Sequence, residues 1–280
     1  MLAAMATFAV AAAGQDDLHL PESVTAGSAV SFSIPGSGQA SLYLIGPDHA
    51  SKRSAELGQE IVFRGDELQA AGRYVAVICS QSCRSAAFFV VPAEVSGLSV
   101  LVHPSRVPAS QRDAISGVAF PYDKFQNLVL SPVELNVRMS LGNSTLLSRS
   151  ISAQDGVAWF RANSGTRAGA LQIVLSANEI SVRRVVQQVA SEPCNLRIEA
   201  QRNARGIAVQ TQPMRDCAGN PVQDGTIVSF TATGEKGKST VDAPAKQGVA
   251  RAQLMTSGAV AISAASGVVM GNEVKIEAQP

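Results

Sequence analysis

Charge, aromatic rings and histidine are all scarce in this sequence. Only 16% of its 280 residues are charged, with 23 Lys and Arg against 22 Asp and Glu. That balance gives no electrostatic reason to expect a nucleic-acid partner or an anionic membrane surface. It also argues against long solvated helices, which carry dense Glu/Lys pairs. The three histidines (His19, His49 and His103) lie far along the chain from all four cysteines, and no Cys-x-x-Cys, His-Glu-x-x-His, Gly-x-Ser-x-Gly or Gly-rich phosphate loop occurs. Asp48-His49 is the nearest approach to a catalytic carboxylate–imidazole pair, and Gly46-Pro-Asp-His49 reads as a turn. The expectation is a non-enzyme with no cofactor and no metal.

Long apolar runs are missing too. The opening run, Met1 to Gly14, is made of apolar and small residues but falls short of the roughly 20 needed to cross a bilayer. Its length and Ala-rich end fit a secretory signal processed near Ala13 to Gln15, although no Lys or Arg precedes it. The alternative is a disordered or helical N-terminus. The cysteines point the same way as a signal. They are four, in two close pairs, Cys79/Cys83 and Cys194/Cys217, and disulfides in an oxidising compartment are their expected state. The chain is therefore expected to be exported, with no transmembrane span in its mature form.

What remains is almost entirely strand-like. Residues 29–34, 40–45, 98–102, 133–139 and 227–231 alternate apolar and polar or form short buried runs, separated by Gly, Pro, Asn and Asp clusters. Residues 179–188 invite a helix, but Ile180, Val182, Val185 and Val186 favour a strand. Cys79-Ser-Gln-Ser-Cys83 separates two strand-like runs, which predicts a hairpin stapled at its mouth. Folding the strands on either side of residues 202–206 back on each other brings Cys194 opposite Cys217.

Repetition sets the domain count. Asp123-Lys-Phe-Gln-Asn-Leu-Val129 and Asp216-Cys-Ala-Gly-Asn-Pro-Val222 share the frame Asp-x-x-x-Asn-x-Val. Gly156-Val-Ala158 then recurs as Gly248-Val-Ala250, and Gly169 as Gly258, each in the same order and at nearly the same spacing. Two copies of one domain are expected, over 96–190 and 191–280. Residues 18–92 form a different sandwich, whose Gly72-Arg-Tyr74 at a late strand is usual in immunoglobulin (Ig)-like domains. Residues 91–97 and 191–193 are the linkers. The predicted fold is all-β, with three tandem Ig-like antiparallel β-sandwich domains.

The two C-terminal copies resemble the bacterial Ig-like domains of the invasin/intimin type. Asp216 to Val222, the strand Gly225 to Thr233, Gly248-Val-Ala250 and the Gly258 turn carry the resemblance; the first copy departs from it, with Gln126 for Gly and Leu128 for Pro. The resemblance implies stacked sandwiches at the bacterial surface that space or display adhesive tips. It brings no receptor site with it.

Few residues suggest a specific role. Asp216 and Asn220 serve as turn-forming groups that bond nearby amides; a calcium site would need six to eight oxygens, and no acidic cluster near either repeat supplies them. Asn143-Ser-Thr145 reads as a hairpin tip. Trp159 and Phe160 are adjacent, so in a strand one faces outward; packing in the core or between domains is the expected role, and an exposed Trp159 would be a surface for sugar or a partner. The leading functional reading is a non-catalytic scaffold for adhesion or display, acting on a protein or glycan at the cell envelope. Its alternative is a carbohydrate- or envelope-binding accessory module beside a separate enzyme.

Overall fold

The structure, a computed structural model, describes residues 18–235 and 237–278, so the expected signal segment at 1–14 lies outside the described residues. The chain is all-β. Its one helical element among the described residues is a single 3-10 turn, Gly65–Glu67.

Seven strands make the first pair of sheets: β1 (Ser23–Thr25), β2 (Val30–Ser33), β3 (Gln39–Ile45), β4 (Ala50–Glu56), β5 (Glu60–Phe63), β6 (Gly72–Cys79) and β7 (Cys83–Val91). One sheet has the order β1-β7-β6-β3-β4 and the other pairs β2 with β5. Alternation decides which side chains go inward: Ala40, Leu42 and Leu44 of β3 and Tyr74, Ala76 and Ile78 of β6 meet Phe32 and Phe63 in one core. Tyr74 is fully buried and stacks on Phe88 with ring centroids 5.6 Å apart.

The second set comprises β8 (Gly97–His103), β9 (Arg106–Pro108), β10 (Ile115–Tyr122), β11 (Val133–Leu141), β12 (Ser144–Ala153), β13 (Ala158–Ala162), β14 (Gly169–Ala177) and β15 (Ile180–Val189). The third comprises β16 (Ile198–Asn203), β17 (Gly206–Thr211), β18 (Ile227–Gly234), β19 (Gly237–Pro244), β20 (Arg251–Leu254), β21 (Val260–Ser266), β22 (Val269–Met270) and β23 (Val274–Ile276). Residues 180–189 are thus a strand, as their β-branched side chains require. Asn143 sits at the tip of the β11–β12 hairpin.

These two sets share a strand order. Three-stranded sheets run β13-β10-β8 and β20-β17-β16, and the larger sheets run β12-β11-β14-β15 and β19-β18-β21-β22. The second set adds β9, which pairs in parallel with β15; in the third, β23 pairs with β21. The Gly-Val-Ala landmarks enter β13 and β20 through one turn geometry. Asp155 and Gly156 have φ of 52° and 81°, and Gln247 and Gly248 have 52° and 78°. At Gly156 a side chain is also sterically excluded, because an added Cβ would come within 2.5 Å of Leu128.

By contact density the chain forms two compact units. One holds residues up to 98 with 120–132 and 154–156; the other holds 99–119, 133–153 and 157–280.

Candidate functional site

The two Asp-x-x-x-Asn turns are built alike, atom for atom. In the first, Asp123 Oδ1 accepts the amides of Phe125 and Asn127, both at 2.9 Å. Its Oδ2 accepts Asn127 Nδ2 at 2.8 Å and the Ala93 amide at 2.9 Å. In the second, Asp216 Oδ1 accepts the amides of Ala218 (3.0 Å) and Asn220 (2.8 Å), and Oδ2 accepts Asn220 Nδ2 (2.8 Å) and the Ser191 amide (3.1 Å). Each carboxylate therefore ties its own turn to a segment some 25 to 30 residues earlier in the chain, at Ala93 and Ser191. Both side chains are buried, Asp123 completely.

Burial alone would raise these carboxyl pKa values. The hydrogen bonds from Asn127, Ala93 and Phe125 outweigh it at Asp123, as those from Asn220, Ser191 and Ala218 do at Asp216, so both carboxyls are held below the ordinary carboxylate value.

The asparagines reach further. Asn127 donates to the Gln69 carbonyl and accepts the Ala71 amide, both at 2.7 Å, all within the first compact unit. Within the second, Asn220 donates to the Thr166 carbonyl at 2.8 Å and accepts the Ala168 amide at 3.0 Å. Sequence reasoning gave these side chains a local turn role only. Their long-range partners are main-chain atoms of a preceding loop, which leave no side-chain signature in that loop. The recurrence of Asn itself was the available clue.

Gln126 and Gly219 occupy the same place in the two turns, with φ of 68° and 86°. The departure of the first copy from the Gly pattern thus leaves the turn geometry intact, but puts a glutamine in the left-handed region.

Both expected cysteine pairs are disulfide-bonded, Cys79 to Cys83 and Cys194 to Cys217. Cys79 and Cys83 face each other in the β6–β7 register, at the mouth of the hairpin. The second pair sits elsewhere than the sequence suggested. Cys194 precedes β16 by four residues and Cys217 lies inside the Asp216 turn, beyond the end of β17. The bond joins the segment before β16 to the turn, beside the Asp216–Ser191 contact. In the first turn the equivalent positions are Ser96 and Lys124: the Ser96 amide donates to Tyr122 O at 2.8 Å as the Cys194 amide donates to Arg215 O at 2.9 Å.

Trp159 and Phe160 part company on β13. Phe160 is 1% exposed and Trp159 67% exposed, so Phe160 takes the core role and Trp159 does not pack there. The register explains why. An added Cβ on Gly117 of β10 would come within 2.2 Å of the Phe160 ring, so that ring fills the space over Gly117 and sends its neighbour outward.

His49 Nδ1 lies 2.7 Å from Asp48 Oδ1 on an exposed turn. Among the described residues no group of three His, Cys, Asp or Glu stands close enough to hold a metal ion, and no helix is long and apolar enough to cross a membrane.

No protein-family model matches the chain, and no curated protein matches it in sequence. Solved structures do. The Escherichia coli adhesin FdeC is similar over 93% of this chain and 95% of its own, with a TM-score of 0.63 at 15% identity. Invasin, described as a bacterial integrin-binding protein, is similar over 92% of this chain with a TM-score of 0.51 at 12% identity; the match covers 58% of the invasin chain. The chain has the Ig-like fold of these bacterial proteins. At such identities the likeness is one of fold, and it agrees with the resemblance carried by Asp216 to Val222 and the Gly248 turn.

Proposed function

We propose that this protein is an exported, non-catalytic adhesion or display scaffold of three Ig-like sandwiches, spanning 18–92, 96–190 and 191–280. The observation that carries the reading is the near end-to-end match to an adhesin, FdeC, over 95% of that chain. The two disulfides support export, because such bonds persist in oxidising compartments. Its partner is a protein or glycan at a cell envelope or host surface.

The test is adherence. Beads coated with the purified chain should settle on epithelial cells several-fold more than albumin-coated beads. Equal counts would sink the reading. Limited proteolysis tests the domain division separately: first cuts should fall at 91–97 and 190–194, and cuts within the sandwiches would overturn those boundaries.

A further inference from the structure

We infer that the outward face of the β8–β10–β13 sheet, centred on Trp159 and Arg161, binds a pyranose sugar bearing a carboxylate. The inference deepens the adhesion reading and rests on it.

The geometry begins with strand period. Trp159 and Arg161 alternate with buried Ala158, Phe160 and Ala162, so both stand on the outer face. Two residues along a strand separate their Cα atoms by about 7 Å, close enough for one small ligand to touch both side chains. Val118 lies directly opposite Trp159 in the β10–β13 register and Ser116 opposite Arg161. Leu101, 66% exposed on β8, extends the apolar part. The Ser116 hydroxyl is already committed to His103 O at 3.3 Å, and the neighbouring Arg149 guanidinium donates Nη2 to Arg161 O at 2.9 Å, which leaves the Arg161 guanidinium as the strong donor on β13.

Charge selects the ligand. Residues 96–190 carry eight arginines and Lys124 against five acids, Asp113, Asp123, Glu134, Asp155 and Glu179. Among the described residues no carboxylate is within ion-pair distance of Arg161. None of the outward residues in this patch is acidic. A guanidinium without a protein carboxylate matches a ligand carboxylate through two parallel N–H···O bonds. The exposed indole offers an apolar face to the C–H groups of a sugar ring.

Size argues against a protein partner here. A stable protein interface covers about 800 Å² on each side around several large anchors, whereas the strongly exposed apolar side chains of this face are two, Trp159 and Leu101, beside half-buried Val118 and Phe120 and the less exposed Val157. The corresponding sheet of the C-terminal repeat lacks the feature: counted from the shared Gly-Val-Ala, Arg251 and Gln253 stand where Trp159 and Arg161 do. Arg251 Nε there donates to Gln210 Oε1 at 3.3 Å. The C-terminal copy therefore has no such platform.

The test uses the whole purified chain against polymers bearing N-acetylneuraminic acid, glucuronic acid or galactose. Binding to at least one acidic polymer and not to galactose is expected, and which acidic polymer binds identifies the source of the carboxylate. Trp159→Ala and Arg161→Gln should each weaken binding about tenfold or more, with the thermal melt unchanged; Arg251→Gln should leave it intact. Equal binding to galactose, no binding to either acidic polymer, or binding indifferent to both substitutions overturns the inference. The bead assay separates the two claims. Adherence that survives both substitutions and enzymatic removal of acidic sugars keeps the adhesion reading and defeats this one, while beads that never adhere defeat the adhesion reading itself.

Discussion

In the turn at 123–127 the left-handed position is Gln126 and its neighbour on the second position is Lys124. In the turn at 216–220 the same places hold Gly219 and a disulfide-bonded Cys217. The eight carboxylate contacts nevertheless agree to within 0.2 Å, pair by pair. Two residues therefore set the geometry, the aspartate that gathers amides and the asparagine that reaches the loop before. The glycine and the disulfide modify the stability of a turn whose shape is already fixed.

The sharpest way to break this comparison is to remove the aspartates. Asp216→Ala strands the amides of Ser191, Ala218 and Asn220, and Asp123→Ala those of Ala93, Phe125 and Asn127. Each unsatisfied donor costs about 1 kcal/mol, most of them being part-buried, so each variant should lose about 3 kcal/mol or more in urea unfolding. A large loss at one turn and under about 1 kcal/mol at the other would end the equivalence.

Next is the disulfide. Cys194 and Cys217 are 23 residues apart and Cys79 and Cys83 only 4. Loop entropy predicts that paired serine replacements cost about 3 kcal/mol for the former and about 2 for the latter. Denaturation of the two double variants checks the order. An inverted order would show that local strand pairing in the hairpin, and not loop length, governs.

Smaller still is the left-handed position. Gln126→Gly should stabilise by up to about 1 kcal/mol by relieving backbone strain, and Gly219→Ala should destabilise by about the same amount. Thermal melts of the two variants measure both signs.

The last expectation is invisible at neutral pH. A carboxyl whose folded pKa lies below its unfolded value contributes stability above the unfolded value, and that contribution is lost as pH falls through the folded one. Acidification below about pH 4 should thus weaken the protein, and Asp123→Asn with Asp216→Asn should flatten the profile. An unchanged slope in the double variant would assign the acid sensitivity to other carboxyls.

Much of this was legible in the sequence because strand alternation and turn chemistry are local. The hairpin at Cys79–Cys83, the strand at 180–189 and the paired Gly-Val-Ala turns all follow from residues within a few positions of one another. The partners of Asn127 and Asn220 do not, since a backbone carbonyl such as that of Gln69 or Thr166 is present whatever side chain it carries. Cys194–Cys217 was half-readable: the pairing followed from their closeness in sequence and the strands folding back around 202–206, but the placement required knowing that β16 starts only at Ile198. Trp159 could not be assigned a face until Gly117 fixed where the Phe160 ring goes.

The asparagine contacts carry an evolutionary consequence. Asn220 asks the 166–168 loop for one carbonyl and one amide, and Asn127 asks the same of 69–71. Nearly every loop of that shape can meet such a demand, so the side chains in the loop are free to drift. A turn of this kind brings its own polar partners and makes few demands on the loop it reaches. Substitution of the side chains at 69–71 or 166–168 then leaves these contacts in place, so those loops can change in sequence while the asparagines keep their partners.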